Sequence, residues 1–107
     1  MMPNLGTMYI SGPMAGLPNF NCEAFDEAEY FLKAMGYKVY TPANVGRHDR
    51  NLTYEEKLRK VLRLMLKCEN IYFLKGWEFS FGARLEMQIA LALKMDITYE
   101  VDPCLTT

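Results

Sequence analysis

The stretch Y-I-S-G-P-M-A-G at residues 9–16 constrains the fold more than any other part of the chain. With Thr7 and Met8 before it, this stretch begins as an apolar, β-branched run typical of a buried strand. The run breaks at Gly12 and Pro13, and a helical pattern follows. A strand that leads through a glycine-bearing loop into a helix often holds a phosphate or nucleotide in α/β proteins. Because G-x-G-x-x-G and the P-loop lysine are both absent from the stretch, an ordinary strand-to-helix turn explains it equally well.

Apolar periodicity along the rest of the chain predicts alternating strands and helices. Strands are predicted over 7–11, 37–41, 70–74 and 97–101, and helices over 22–35, 54–67 and 82–95, with a polar connection over 43–52. Asn21 is the predicted N-cap of the first helix and Gly36 its end, and Thr53 opens a capping box. The order predicts a single α/β domain, a flavodoxin-like or Rossmann-like three-layer sandwich. Its parallel sheet has four strands, or five, with helices on both faces.

Composition excludes several classes of protein. The 12 basic and 13 acidic residues give a net charge of −1, which indicates neither a nucleic-acid polymer nor a membrane surface as partner. The longest apolar stretches are far shorter than a bilayer span, and the first residues lack the features of a secretory signal. Cys22, Cys68 and Cys104 are odd in number and widely spaced. That spacing favours free thiols in a reducing cytoplasm and predicts no metal site.

Glu86 is the most informative single residue, because it places a carboxylate on the apolar side of a predicted helix. At about 100° per residue, Arg84 and Gln88 form a narrow polar stripe and Glu86 falls opposite them, beside Ala90. Burying an ionised carboxylate is costly unless the group is paired or its pKa rises. Glu86 is therefore either an active-site carboxylate or a hydrated one near the positive end of the helix.

Other residues near the predicted strand ends allow two interpretations each. Ser80 is the N-cap of the third predicted helix, a phosphate ligand, or both. Trp77 and Phe79 are core residues or a wall on which a base stacks. His48 is predicted to be a surface residue, and the two arginines beside it form either a solvated loop or a screen for an anionic ligand.

Two motifs resemble those of a family of small bacterial and phage proteins. Residues 9–16 read Y-I-S-G-P-M-A-G, where that family typically has Y-I-S-G-P-M-T-G. Residues 68–86 read C-E-N-I-Y-F-L-K-G-W-E-F-S-F-G-A-R-L-E, where it has C-D-x-I-x-x-L-x-G-W-x-x-S-x-G-A-x-x-E. That family looks like a compact branch of the nucleoside 2-deoxyribosyltransferase-like superfamily, which includes nucleoside deoxyribosyltransferases and 2′-deoxynucleoside 5′-phosphate N-hydrolases. The resemblance extends from Tyr9 to about Val101.

The resemblance implies roles for residues at matching positions. Glu86 matches the glutamate that attacks the anomeric carbon, and Tyr9 matches a tyrosine beside it, so these are the candidate catalytic residues. The candidate substrate-binding residues are Ser11, Gly12, Pro13, Met14, Gly16, Trp77, Ser80 and Gly82, of which Ser80 matches a serine that binds the 5′-phosphate. The implied reaction cleaves or transfers an N-glycosidic bond through a glycosyl-enzyme ester on Glu86, with no metal and no cofactor.

The second predicted helix departs from the pattern of those enzymes. They carry an aspartate eight residues before the acidic residue that opens the third strand, and here that position is Val61, because Glu69 opens the strand. Valine cannot protonate a departing base, and general acid catalysis typically contributes about 10²–10⁴-fold. Glu69 and Glu78 are candidates to replace the aspartate. The glycine loop also lacks a polar and basic pair that the N-hydrolases carry at Pro13 and its neighbours, which leaves a phosphate to backbone N–H groups.

The sequence leaves three functions open. The first is an N-glycosidase or transferase of the deoxyribosyltransferase or 5′-monophosphate N-hydrolase type. The second is a catalytically weak or inactive nucleotide-binding module, and the third a small structural or interaction domain. A nucleoside or nucleotide is the expected small-molecule partner. The 8 Met, 7 Tyr and 6 Phe on so short a chain favour a homodimer or higher homo-oligomer. Relatives of this kind complete their sites with a neighbouring subunit, so a partner residue is another candidate to replace the aspartate.

Overall fold

Strands and helices alternate along the chain, which a computed structural model describes over residues 4–48 and 51–101. The strands are β1 (Thr7–Ser11), β2 (Lys38–Tyr40), β3 (Asn70–Phe73) and β4 (Asp96–Tyr99). The helices are α1 (Cys22–Met35), α2 (Pro42–His48), α3 (Tyr54–Leu66) and α4 (Phe81–Ala92). Short 3-10 turns lie before α1, at Pro18–Asn21, and before α4, at Trp77–Phe79.

The sheet is parallel throughout, with the strand order β2-β1-β3-β4. The two central strands, β1 and β3, pair from Met8 opposite Asn70 to Ser11 opposite Phe73. Central strands of a parallel sheet are covered on both faces, which is why β1 and β3 are almost wholly buried. The predicted three-layer α/β sandwich is therefore confirmed, with four strands in the part of the chain that the structure describes.

Alternate residues of β1 belong to different cores on the two faces of the sheet. Met8 and Ile10 pack with Phe25 and the rest of the inner side of α1. Tyr9 packs instead with Met65 of α3 and with the inner side of α4. The loop after β1 thus leads to a helix on one face, and the loop after β3 to a helix on the other. Adjacent strands whose loops diverge in this way leave a crevice at their carboxyl ends, where α/β proteins bind ligands.

The ends of α1 and the start of α3 follow the sequence signals, with one exception. Gly36 ends α1 with a φ of 117°, and the predicted capping box at Thr53 is present in full. Asn21 precedes α1 as predicted, but its side chain does not cap the helix. Because Asn21 has a φ of 61°, its Nδ2 turns away and donates a hydrogen bond to the Pro13 carbonyl at 3.0 Å. The Asn21 side chain therefore stabilises the glycine loop and does not cap α1.

The prediction of a polar connection over 43–52 was wrong for residues 43–48, which belong to α2 (Pro42–His48). Pro42 is the first residue of α2, a position where the fixed φ of proline suits the helix and its missing N–H costs nothing. Thr41 Oγ1 accepts a hydrogen bond from the Ala43 N–H at 3.2 Å. The Thr41-Pro42 pair was a helix-start signal in the sequence, but the polar residues after it led to the prediction of a connection. The side chains of residues 46–50 lie outside the described set, so the interpretations of His48, Arg47 and Arg50 stay predictions.

Other boundaries differ by one to three residues. The helix predicted over 82–95 is α4, which ends at Ala92 because Lys94 adopts a left-handed φ of 56°. β4 consequently begins at Asp96 and ends at Tyr99, two residues before the predicted end. β2 lacks the predicted residues 37 and 41, and β3 lacks residue 74, because these residues lie outside the paired register of the sheet.

Two of the three cysteines lie in described parts of the chain, and both are free and buried. Burial raises the pKa of the Cys68 thiol to about 11, which leaves it protonated and a weak nucleophile at neutral pH. Cys104 lies outside the described residues. Within the described ranges, no cluster of three or more His, Cys, Asp or Glu side chains is arranged to hold a metal ion. None of the described helices has the length and apolar character needed to cross a membrane.

Candidate functional site

A cavity of about 420 Å³ opens at the carboxyl end of β1, on the face covered by α3 and α4. The loop after β1 forms one wall, the first turns of α3 and α4 form two others, and Pro42 of α2 closes a corner. A volume of this size falls in the range of roughly 300–1,000 Å³ that is typical of small-molecule sites. The crevice that the diverging loops of β1 and β3 leave at the carboxyl edge of the sheet is therefore present as a cavity.

The Glu86 carboxylate lies in the wall of this cavity, although the residue is only 6% exposed. Its Oε2 accepts a hydrogen bond from the Tyr9 hydroxyl at 2.5 Å, and its Oε1 accepts one from the Ser11 hydroxyl at 2.8 Å. Tyr9 and Ser11 are alternate residues of β1, so both side chains leave the sheet on the face that α4 covers. Glu86 is a buried carboxylate, and its interpretation as a hydrated one was wrong.

The position of Glu86 depends on how tightly the strand ends and α4 are fixed. Ser80 Oγ accepts a hydrogen bond from the Ala83 N–H at 3.2 Å and so caps α4, as predicted. Gly12 lies so close to the end of β3 that a Cβ there would stand 2.7 Å from the Leu74 Cβ. No side chain fits at that separation, so Gly12 is needed for close packing between the first loop and the third strand.

Burial raises the pKa of Glu86, and the hydrogen bonds from Tyr9 and Ser11 oppose that rise. Of the described residues, none places a cation against this carboxylate. The pKa of Tyr9 is raised well above its ordinary value, first by burial and then by the charge of Glu86, so the phenol stays protonated and donates. The two hydroxyls thus hold a carboxylate for which the described side chains provide no counter-ion.

Most of the predicted site residues meet at this cavity. Its lining includes Tyr9, Gly12, Pro13, Met14, Ser80, Gly82 and Glu86. Ser11 is fully buried behind the lining and acts on it through Glu86. Gly16 and Trp77 are not in the lining.

The two candidate stacking residues of the second motif have different surroundings. The Trp77 ring packs on Phe73 at 5.0 Å and on Tyr99 at 6.2 Å between centroids, so its core interpretation is confirmed. Phe79 is 90% exposed and lines the cavity mouth, so the core interpretation was wrong for this residue. A phenylalanine that exposed gains little from the protein's own packing and is available to a ligand.

Sequence reasoning singled out Val61 of α3 but missed another residue of that helix that lines the cavity, Lys57. Its Nζ lies 5.8 Å from the centroid of the Phe20 ring, in cation–π range. Lys57 is the single basic side chain among the described residues that line the cavity. The helical repeat held the missing signal, because Lys57 lies four residues before Val61 and therefore on the same face of α3.

Val61 lines the deep wall and is 7% exposed, so the position implied for the missing aspartate does face the cavity. Neither Glu69 nor Glu78, the proposed replacements for the aspartate, lines the cavity. Glu69 lies beside Gly6 at the amino end of β1, the opposite end of the sheet from the cavity. Glu78 is exposed and lies outside the lining. Over the described residues, Glu86 is the one carboxylate that lines the cavity.

The raised pKa of Glu86 predicts a pH-dependent effect of Glu86→Gln on stability. Between the ordinary carboxyl value of 4.5 and the raised folded value, folded wild type retains a proton that the unfolded chain has lost. Wild-type stability therefore falls through this window, and the variant, which has no charge to bury, does not share that fall. Urea unfolding of both proteins at about pH 4 and about pH 8 should show the difference moving in favour of Gln. Glu78→Gln, at an exposed carboxylate, is the control, and a difference independent of pH would contradict the prediction.

Comparison with known proteins places this chain in a family. Residues 6–99 match the family model described as Domain of unknown function (DUF4406). A search of curated proteins finds no match to the chain. The matched region runs from just before β1 to the end of β4 and includes every residue that lines the cavity. The chain therefore belongs to the DUF4406 family.

Proposed function

We propose that this protein cleaves or transfers the N-glycosidic bond of a nucleoside or nucleotide, with Glu86 as the nucleophile. The observation that carries the proposal is the Glu86 carboxylate, which is buried, held by two β1 hydroxyls, and still part of the cavity wall. Buried carboxylates of this kind concentrate at catalytic sites. The resemblance to the nucleoside 2-deoxyribosyltransferase-like superfamily supports the same assignment at Tyr9, Ser80 and Glu86.

The proposed reaction has two steps. In the first step an oxygen of the Glu86 carboxylate forms a bond to the anomeric carbon, and the bonding pair of the C–N bond leaves with the base. The transition state has oxocarbenium character, which a neighbouring anion stabilises. In the second step a water oxygen attacks the same carbon, the ester C–O bond breaks, and the water's proton passes to solvent or to the released base. A second base in place of water gives transfer.

Tyr9 and Ser11 orient the carboxylate for this reaction. Each hydroxyl occupies one carboxylate oxygen, so the plane of the group is fixed before substrate binds. An oxygen of a carboxylate can accept further interactions, which leaves a lone pair of Glu86 for the anomeric carbon. Fixed geometry of this kind lowers the entropic part of a barrier.

The alternative function is a nucleotide-binding module with little or no turnover. The apolar wall formed by Val61 favours it, because within the described residues the cavity has no second carboxyl group to protonate a neutral base. Thermal stabilisation by nucleotides without any release of base would support this alternative.

The proposed ligand places its 5′-phosphate at the cavity mouth, between the first turns of α3 and α4. Lys57 supplies the positive charge there, and the lining also includes Ser80, the N-cap of α4, and Gly82 in the first turn of that helix. Glu86 is four residues further along α4 than Gly82, about 6 Å deeper at the helical rise, where the anomeric carbon would lie. The helix start adds N–H groups and a favourable dipole for an anion.

We place this activity in a reducing compartment, the cytoplasm. Cys22 and Cys68 are buried free thiols, and thiols of this kind are typical of proteins that are not exposed to an oxidising environment. Cell fractionation tests the location.

Release of free base from nucleosides and nucleotides is the first test. Incubation with ribo- and deoxyribonucleosides and their 5′-monophosphates, followed by chromatography, should show free base from wild type. Glu86→Gln should lower kcat by at least roughly 10³-fold, the order of loss that follows removal of a covalent nucleophile. Glu78→Gln should retain the rate of wild type. Base release that is unaffected by Glu86→Gln would contradict the assignment of the nucleophile.

Lys57→Met tests the position of the phosphate. Because a hydrogen bond to a charged group contributes about 1.5–3 kcal/mol, the preference for a 5′-monophosphate over its nucleoside should fall by roughly 10- to 100-fold. The loss should appear mainly in KM, since the contact is remote from the reacting carbon. Lys60→Met, three residues along α3 and outside the cavity lining, is the matched control. An unchanged preference in Lys57→Met would place the phosphate elsewhere.

We also propose a homodimer, with the outer side of α1 in its interface. Phe31 and Met35 lie one turn apart on α1 and are 52% and 43% exposed, and the neighbouring Tyr30 is 80% exposed. Exposed apolar side chains in such a group mark interaction surfaces. Light scattering should give twice the chain mass of 12.4 kDa for wild type and a lower mass for Phe31→Ser. A wild-type mass equal to one chain would contradict the dimer.

A further inference from the structure

The cavity presents a chemical problem for the departure of an ordinary nucleobase. A neutral purine or pyrimidine that leaves with the bonding pair of the C–N bond becomes an anion unless an acid protonates it. Among the described lining residues, the groups with transferable protons besides Glu86 and its partner Tyr9 are Tyr54, Lys57 and Ser80. A phenol, an ammonium and a hydroxyl are all far weaker acids than a carboxylic acid. The wall that would face the departing base from α3 is the apolar side chain of Val61.

The charge of the cavity points to the kind of base that escapes this problem. The Glu86 carboxylate is buried and receives two neutral hydroxyl donors, but of the described side chains none brings a positive charge to it. A positively charged ring next to the anomeric carbon would supply the counter-ion that the described side chains do not. It would therefore favour the ionised, nucleophilic form of the carboxylate at the moment when the substrate is bound.

The cavity mouth suits a positively charged ring as well. Four aromatic side chains of the lining are each more than half exposed, namely Phe20, Tyr54, Phe79 and Phe81. The faces of aromatic rings attract cations, and flat charged rings stack on them. The Phe20 ring already faces Lys57, whose Nζ lies 5.8 Å from its centroid, so the rings available to a cationic base are Tyr54, Phe79 and Phe81.

We propose that the substrates of this site are N-glycosides of a cationic base, of the pyridinium or N7-alkylpurinium class, carried on a 5′-phosphorylated sugar. This inference rests on the proposed glycosidase function and specifies its substrate. Glu86 forms the C–O bond to the anomeric carbon, the C–N pair returns to the positively charged ring, and the base leaves as a neutral molecule. No proton is needed for its departure. Water then cleaves the ester, and its proton goes to solvent.

Matched substrates that differ in the charge of the base test the inference. One pair is N7-methylguanosine 5′-monophosphate and guanosine 5′-monophosphate. The other is nicotinamide mononucleotide, whose ring is positively charged, and its reduced form, whose ring is neutral. After subtraction of the uncatalysed rate, kcat/KM should be at least roughly 10²-fold higher for the charged member of each pair, the lower end of the usual contribution of an acid. Glu86→Gln should abolish the release of base from both charged substrates.

A second experiment adds an acid to the cavity by substitution of Val61. Val61→Asp places a carboxyl group in the wall of the cavity and should reduce the ratio of kcat/KM for N7-methylguanosine 5′-monophosphate to that for guanosine 5′-monophosphate by about 10²-fold. Val61→Asn, of nearly the same shape, should give no such reduction. If the aspartate variant does not fold, the substrate pairs decide alone.

The outcomes separate this inference from the proposed function. Equal or faster cleavage of the uncharged substrates by wild type would overturn the preference for a cationic base and leave the glycosidase function intact. No release of base from any of the four substrates, in a sample with a cooperative melting transition, would overturn both.

Discussion

The two hydrogen bonds from Tyr9 and Ser11 to the Glu86 carboxylate join the central strand β1 to α4, and the cavity is built around that junction. Their donors alternate on one face of the strand, so the sheet itself fixes the carboxylate. The arrangement carries a cost, because burial raises the pKa of Glu86 and the described surroundings offer no counter-ion. A fold that keeps this charge in place gives up some stability, which is typical of functional sites.

The cavity has two ends with different chemical character, which follow from the direction of the helices. α3 and α4 both begin at the carboxyl edge of the sheet, so their first turns lie at the mouth and later turns lie deeper. The mouth holds Lys57 and exposed aromatic rings, whereas the deep end holds Glu86 opposite the apolar Val61. A ligand that satisfies both ends combines an anionic group, a flat ring and an electrophilic carbon, which is the composition of a nucleotide.

The fold and the centre of the site were predictable because strong local patterns agreed with one another. Strand periodicity and helix end signals gave the parallel sheet, and the wheel of α4 singled out Glu86 by its place opposite Arg84. The α2 helix was missed because its polar composition outweighed the start signal at Pro42. Lys57 was missed because its position four residues before Val61 indicates a cavity residue only once the structure shows that this face of α3 lines the cavity.

The identity of the acidic residue is itself an argument about the ligand. A glutamine at position 86 would still accept a hydrogen bond from one β1 hydroxyl, and it would avoid the cost of burying a negative charge. Simple binding of a neutral ring in an apolar cavity gains nothing from the charge of Glu86, since neither partner would neutralise it. The charge of the carboxylate is used when Glu86 forms a bond to an electron-poor carbon and when the ligand brings a positive charge. Departure of a cationic base from a sugar meets both conditions in one step, with Val61 in the place where an acid would otherwise be needed.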